Sequence, residues 1–480
     1  MAPVGTEPKK NLFINGSWIE AKQYVSLTSP YDGEVIAEIP SATEEEVNKA
    51  IETAYGARET MAKMPAHKRA SILENLANLL ETRKGEAARI IALEAAKPIT
   101  TAKAEVDRTI QTYKFAAEEA KRIHGETVPL DAAPDGENRV AFTIREPIGV
   151  IGAITPFNFP MNLVAHKVGP AIASGNTIVL KPASQTPLSS FFLAELLQEA
   201  GMPIGAFNVV TGSGRSVGDQ IVSDERVAMI TFTGSPAVGI GIRNKAGLKR
   251  VTLELGSNAA AIIDEGVNLD KVISRCVGGA FAFQGQVCIS LQRVYVHENE
   301  YERFVEKFVE TTKQLNIGDP LDPKTDVSAL ISKGDVKRAL DWIEEAKQDG
   351  AEIVVGGNAE GNILLPTVLL NVDPSQKVSC QEVFAPIVLI NKVSSIDEAI
   401  DLVNDSRYGL QAGVYTGNVA TAFDAVEKLH VGGVIINDIP TFRVDNMPYG
   451  GVKESGFGRE GIKYAVEEMT EMKLAVFNRN

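Results

Sequence analysis

What the 480 residues lack narrows the field first. Three cysteines, Cys276, Cys288 and Cys380, are too few and too odd a number for a disulfide framework, so reduced thiols inside a cell are expected. The five histidines are scattered and never stand at metal-ligand spacing with a cysteine, which leaves no ground for a metal site. Aromatic residues make up only 6% of the chain, so the interior is expected to be aliphatic. Basic residues are outnumbered, 48 Lys and Arg against 62 Asp and Glu. The resulting net charge of -14 argues against nucleic acid and anionic membrane as partners, though not against a local basic pocket. No apolar run is long enough to cross a bilayer, and Met1 to Lys10 lacks the apolar core of a signal peptide. A cytoplasmic location is the expectation.

A chain of this length exceeds one ordinary core, and two or three packed domains are expected. Residues 11 to 40 alternate short apolar runs with turn pairs at Asn15-Gly16 and Asp32-Gly33, a pattern of hairpins forming an edge layer. Thr43 with Glu46 forms a capping-box signature, followed by Val47, Ala50, Ile51 and Ala54 at helical spacing. Amphipathic helix continues over roughly 68 to 122, with a break near Pro98. From about residue 139, near-continuous apolar strands alternate with helices: Ile148 to Ile154, Thr177 to Leu180, Phe207 to Val210 and Ala228 to Phe232. That alternation predicts a parallel sheet covered on both faces, which binds ligands at the carboxyl ends of its strands, and a dinucleotide is the natural candidate. A second alternation starts near 255, with strands around Val294 to Val296, Ile353 to Val355 and Ile387 to Ile390.

Cys288 follows a segment rich in glycine and phenylalanine and precedes a strand. A cysteine in apolar company is ordinarily core, but a glycine-bearing loop supplies the exposure and backbone donors that a nucleophilic thiolate needs. Glu254 sits between two leucines at the end of an apolar strand, where a carboxylate must be hydrogen-bonded, protonated or reached through a cleft, which makes it a candidate general base. Ser235 and Pro236 follow an apolar strand as helix N-cap and first helical residue, so Gly234-Ser235 is a candidate pyrophosphate site. Gly212-Ser213-Gly214-Arg215-Ser216-Val217-Gly218 is an imperfect dinucleotide fingerprint, one residue too long. Lys181 ends a buried strand, in position for an adenosine ribose.

Seven motifs stand in one order along the chain: Pro156-Phe157-Asn158-Phe159-Pro160, Gly175-Asn176 with Leu180-Lys181-Pro182, Phe232-Thr233-Gly234-Ser235, Leu253-Glu254-Leu255-Gly256, Gly285-Gln286-Val287-Cys288, Glu382-Val383-Phe384-Ala385-Pro386 and Pro448-Tyr449-Gly450-Gly451-Val452-Lys453. Together they give the chain, over essentially its whole length, a resemblance to the aldehyde dehydrogenase superfamily, in its hydrolytic, non-acylating branch.

The resemblance implies two Rossmann-like α/β domains and a small bridging β segment. The cofactor-binding domain would comprise 1–123 and 143–254, the catalytic domain 255–464, and the oligomerisation segments 124–142 and 465–480. It makes Cys288 the nucleophile, with an oxyanion site at the Asn158 amide and the Cys288 N–H. Glu254 would activate the hydrolytic water, and Lys167 would tune the ionisation of the pair. The cofactor, NADP or NAD, would contact Thr155, Pro156, Phe157, Lys181, Ser184, Gly214, Phe232, Gly234, Ser235, Leu255, Glu382 and Phe384, with Glu382 on the nicotinamide ribose. Relatives selective for NAD commonly carry a glutamate where this chain has Ser184, so NADP is expected to be accepted, and a preference for NADP over NAD is left open. Arg108, Arg293 and Arg443 are candidates to hold an anionic tail on a short aldehyde such as lactaldehyde, succinate semialdehyde, phosphorylated glyceraldehyde or a phosphono- or sulfo-aldehyde. Two rival functions are a coenzyme-A-acylating dehydrogenase, disfavoured by Glu254, and a non-catalytic binding or structural protein retaining the fold, disfavoured by the intact set of site residues. The strand-like tail Lys473 to Phe477 would be a liability if left unpaired, and a homodimer or homotetramer is expected.

Overall fold

The structure, a computed structural model, describes residues 9–479, so the expectation for Met1 to Pro8 lies outside the described residues. Asn15 and Gly16, at φ 57° and 69°, make the two-residue turn that folds Leu12–Ile14 onto Ser17–Ile19. The capping box forms as its sequence requires. The Glu46 N–H donates to Thr43 Oγ1 (3.3 Å) and the Thr43 N–H to the Glu46 carboxylate (2.7 Å), starting a helix over Glu44–Ala62. The expected helical stretch is three helices, Ala66–Thr82, Lys84–Ala95 and Ile99–Ala120, rather than two. The break near Pro98 was foreseen, while the one at Arg83 was not. The buried face carries straight across that second break, from Leu80 to Ala87, so the apolar spacing hides it.

The larger sheet has eight strands in the order Ser17–Ile19, Leu12–Ile14, Phe207–Val209, Thr177–Lys181, Val150–Ile154, Val227–Thr233, Arg250–Glu254 and Gly456–Phe457. Its inner strands, from Phe207–Val209 to Arg250–Glu254, run parallel. Ile151 and Ala153 face one apolar core and Val150 and Ile154 another, which is why these strands read as unbroken apolar runs. Strand order reverses between Val150–Ile154 and Val227–Thr233. A crevice therefore opens beyond their carboxyl ends, where Thr155 to Phe157 and Gly234-Ser235 follow.

The second sheet runs Glu352–Val355, Thr367–Leu370, Ile387–Val393, Arg293–His297, Ala260–Ile263, Gln411–Tyr415 and Gly433–Ile436. It is parallel except at its first pairing. The protein is thus a mixed α/β chain with two Rossmann-like parallel sheets. Gly456–Phe457, far along the chain, returns to the first sheet beside Arg250–Glu254 and carries the neighbouring loop to the crevice. Thr470–Asn478 pairs antiparallel with Arg139–Pro147 along its whole length, so one edge of the tail is satisfied within the chain. Met472, Leu474, Val476 and Phe477 on it stay exposed. Among the described residues no helix is long and apolar enough to cross a membrane.

Candidate active site

Beyond the helix Leu269–Phe281, the chain passes through three consecutive left-handed residues, Phe283, Gln284 and Gly285. Only glycine fits at the third. A Cβ on Gly285 would lie 2.2 Å from the Ala385 carbonyl oxygen. The turn is pinned by Gln284 Nε2, which donates to the carbonyls of Ala96 and Ala329, both at 2.9 Å. Gln286 Oε1 accepts from the Ile331 N–H at 3.0 Å. Such a rigid loop delivers Cys288, half-buried, into an apolar nest of Phe159, Phe283, Val287, Ile289 and Tyr449. Burial pushes its thiol up to about 11, while a hydrogen bond with Tyr449 and the Arg443 charge act in the opposite direction. The Cys288 Sγ to Tyr449 Oη distance is 2.9 Å.

Asn158 is buried beside this loop. Its amide Nδ2 donates to the Gln286 carbonyl at 3.0 Å, which places the amide beside the backbone of the cysteine loop. Its backbone carbonyl accepts from Lys97 Nζ at 2.6 Å. Lys97 is fully buried, pairs with Glu105, and lies 3.8 Å and 4.2 Å from the ring centres of Phe159 and Phe283. Glu105 also accepts from the N–H groups of Met161 (3.0 Å) and Asn162 (3.2 Å). This buried ion pair ties the helix Ile99–Ala120 to the loop bearing Asn158, and two aromatic faces enclose its cation.

Glu254 ends the strand Arg250–Glu254, is buried, and among the described residues makes no hydrogen bond through either carboxylate oxygen. Burial first, then the Glu460 charge, holds its carboxyl well above the usual range. Arg443, Lys167 and Arg459 pull it back. Lys167 Nζ donates to Thr233 Oγ1 and Glu460 Oε1, both at 2.8 Å. Arg443 donates to the other Glu460 oxygen at 3.0 Å and lies 3.2 Å from His166 Nε2, and its guanidinium stacks 3.6 Å over the Tyr449 ring. The Arg443 Nε is buried and makes no hydrogen bond among the described residues. Arg108 donates two hydrogen bonds, at 2.7 Å and 3.2 Å, to Asp445, whose carboxylate also meets His166 and Asn162. Of the three expected arginines, Arg293 is corrected. It is buried under its strand and its donors are taken by the carbonyls of Asn258 (2.9 Å) and Leu402 (3.1 Å), so it holds sheet to loop and faces no cleft.

A cleft of about 470 Å³ lies outside the crevice of the first sheet, lined among others by Ile154, Gly214, Phe232, Val238 and Lys245. It is bordered by the helix Pro236–Lys245, whose N-cap Ser235 makes no capping hydrogen bond among the described residues, an arrangement open to an anion at the helix start. The buried Thr155 Oγ1 also has no hydrogen-bond partner among the described residues. Lys181 ends its strand nearly buried, which pushes its ammonium down to about 8, and Nζ donates to the Pro182 carbonyl at 3.0 Å. Ser184 is exposed and bonds the Gly212 carbonyl at 3.2 Å. Glu382 accepts the Ser257 N–H at 3.0 Å, and burial pushes its carboxyl up to about 7. It approaches the backbone so closely that a Cβ on Gly256 would meet it at 2.5 Å. Phe384, left-handed at φ 49°, sets its ring edge-on against Phe157 at 5.7 Å. Pro156 stands between Thr155 and Phe157, and Leu255 packs against Gly239 of the bordering helix. An uncapped helix start, a nearly buried lysine and the Glu382 carboxylate are groups that fit a dinucleotide.

Sequence reasoning passed over Tyr449, Glu460 and Lys97. The first lies inside a quoted motif, and the second follows it at Gly458-Arg459-Glu460. Lys97 carried only one signal, a lone cation in the apolar stretch Ala92 to Pro98.

Two Rossmann-like parallel sheets, an uncapped helix start beside a cleft, and a half-buried cysteine with a buried carboxylate fit an oxidoreductase of the dehydrogenase class. The chain belongs to the aldehyde dehydrogenase family, whose model matches residues 18–475. It is 47% identical to the 3-sulfolactaldehyde dehydrogenase of Priestia aryabhattai over 97% of this chain and 98% of that one. Among solved structures it is similar to aldehyde dehydrogenase 21 of Physcomitrella patens in complex with the reaction product succinate, with a TM-score of 0.97, 41% identity and 99% coverage of both chains. It is also similar to a glyceraldehyde-3-phosphate dehydrogenase of Methanocaldococcus jannaschii complexed with NADP, with a TM-score of 0.92, 42% identity, and coverage of 95% of this chain and 100% of that one.

Proposed function

We propose that the protein oxidises a short aldehyde bearing an anionic group to the free carboxylic acid, with NADP accepted alongside NAD. The observation that carries the substrate class is the Arg443 Nε, a buried cationic donor without a hydrogen bond, on a side chain stacked against the tyrosine that touches Cys288. A carboxylate, sulfonate or phosphate on the substrate would satisfy it. Arg108, about one-third exposed and held by Asp445, is the second cation proposed for that tail. Relatives named for sulfolactaldehyde, and a neighbour bound to succinate, support the same class.

In the proposed reaction, Cys288 Sγ attacks the aldehyde carbon, the carbonyl electron pair moves to oxygen, and that oxygen is received by the Asn158 amide and the Cys288 N–H. Each such donor contributes about 3 kcal/mol to the barrier reduction. A bound nicotinamide cofactor supplies the hydride acceptor. Lys181, Ser184, the N–H groups after Gly234 and Ser235, and Glu382 would hold it. The acyl group then rests on sulfur as a thioester. Glu254 takes a proton from water, the water oxygen bonds to the acyl carbon, and the C–S bond breaks with its electrons returning to Cys288. Lys167, through Glu460, tunes the charge that Glu254 feels. The exposed apolar strand Thr470–Asn478 supports a homodimer or homotetramer, which light scattering would test.

The test is formation of reduced cofactor with a panel of carboxylate-, sulfonate- and phosphate-bearing short aldehydes beside acetaldehyde, each with NAD and NADP. Higher kcat/KM for the charged members is expected. Equal turnover of acetaldehyde would contradict the substrate class.

A further inference from the structure

We propose that Tyr449 is a catalytic residue whose hydroxyl donates a hydrogen bond to the Cys288 thiolate and thereby favours ionisation of a nucleophile that burial opposes. The proposal rests on Cys288 being the nucleophile. The hydroxyl lies 2.9 Å from the sulfur, and the sulfur is its one hydrogen-bond partner among the described residues. Tyr449 is buried at 2% exposure, so water does not compete for that donor. Its backbone is fixed by two hydrogen bonds with Glu460, N–H to carbonyl at 3.0 Å and carbonyl from N–H at 2.7 Å. The ring is in turn fixed by Arg443 at 3.6 Å, and a cation over the ring face draws electron density from the phenol and strengthens O–H as a donor.

The direction of donation follows from the surroundings. Burial, and then the neighbouring sulfur, keep the Tyr449 phenol well above its ordinary value, so it stays protonated across the working pH range. Once the sulfur is ionised it has no proton to give, and the hydrogen bond then runs from oxygen to sulfur. The charged groups that face the thiol are Arg443, which favours ionisation, and Glu382 and Glu254, which oppose it. Burial raises both carboxyls, so at neutral pH their opposition is reduced. Tyr449 and Arg443 are then the two groups working against the desolvation of the thiolate. When sulfur bonds to the aldehyde carbon its charge passes to oxygen, and the donor is no longer needed there.

The experiment is the rate of alkylation of the intact protein by iodoacetamide as a function of pH, with Cys288→Ala to identify the Cys288 signal. It needs no substrate, so it separates this proposal from the identity of the aldehyde. Tyr449→Phe removes one oxygen and keeps the ring under Arg443. Its alkylation midpoint is expected to rise by about one pH unit, making the reaction roughly tenfold slower below the midpoint. The acid limb of kcat/KM should move with it. As a second arm, 3-fluorotyrosine placed at position 449 keeps the packing and strengthens the donor, and should move the midpoint down. Midpoints that coincide for the native, Phe and fluorotyrosine proteins would overturn the proposal. So would a Tyr449→Phe midpoint below that of the native protein.

Discussion

Glu254→Gln keeps the shape of the side chain while removing its ability to titrate. In the folded protein both carboxylate oxygens are buried without a hydrogen bond among the described residues, and the carboxyl is held well above its usual value by burial and by Glu460. A carboxyl raised on folding favours the native state below its unfolded value of about 4.3. That contribution is lost at ~1.4 kcal/mol per pH unit as pH climbs from the unfolded value to the folded one. Glutamine has no such slope. The unfolding free energy of the variant should therefore gain on the native protein by about 1.4 kcal/mol per unit across that window, whatever constant offset the buried amide introduces. In turnover, loss of the base slows thioester hydrolysis by about 10²–10⁴-fold but leaves sulfur attack in place. Rapid mixing with aldehyde and oxidised cofactor should give a burst of one reduced cofactor per site, then a slow steady state. Parallel pH dependences of stability, or a steady-state rate close to native, would refute the reasoning.

Other perturbations follow from the same contacts. Lys97→Met strands the buried Glu105 and should lower the unfolding free energy by about 3–5 kcal/mol in urea titration, with a loss near zero counting against the role of the pair. Ser184→Glu places a carboxylate beside the proposed ribose site and should lower the NADP-to-NAD ratio of kcat/KM more than about tenfold, or 1.4 kcal/mol. Arg443→Gln should reduce the preference for an anionic over a neutral aldehyde by about tenfold to a hundredfold in kcat/KM, and an unchanged preference would remove Arg443 from the substrate site.

The parts of the fold legible in the sequence are those set by local chemistry. The Asn15-Gly16 turn, the Thr43 capping box and the apolar strands of the first sheet form where their residues require. Strands such as Ala260–Ile263 and Gly433–Ile436 were not read, because four residues of apolar chain carry too little periodicity to separate strand from helix. The glutamate could be singled out because a carboxylate is costly in apolar surroundings, and the cysteine because its loop carries glycine and the motif Gly285-Gln286-Val287-Cys288. Their partners could not, since Tyr449 and Glu460 reach the crevice only through the return of Gly456–Phe457 to the first sheet, a pairing across some 200 residues that no local pattern encodes. Arg293 misled for a related reason. Its closeness in sequence to Cys288 says nothing about which side of its strand it faces, and it faces away.

The most direct test of the account is the mass of the intact protein after acid quenching during turnover with an aldehyde and oxidised cofactor. An adduct of one acyl group on Cys288 is predicted, accumulating in Glu254→Gln and absent in Cys288→Ala. Turnover that survives in Cys288→Ala, or a Glu254→Gln enzyme that reduces cofactor in a burst without acquiring the adduct, would contradict covalent catalysis at this cysteine.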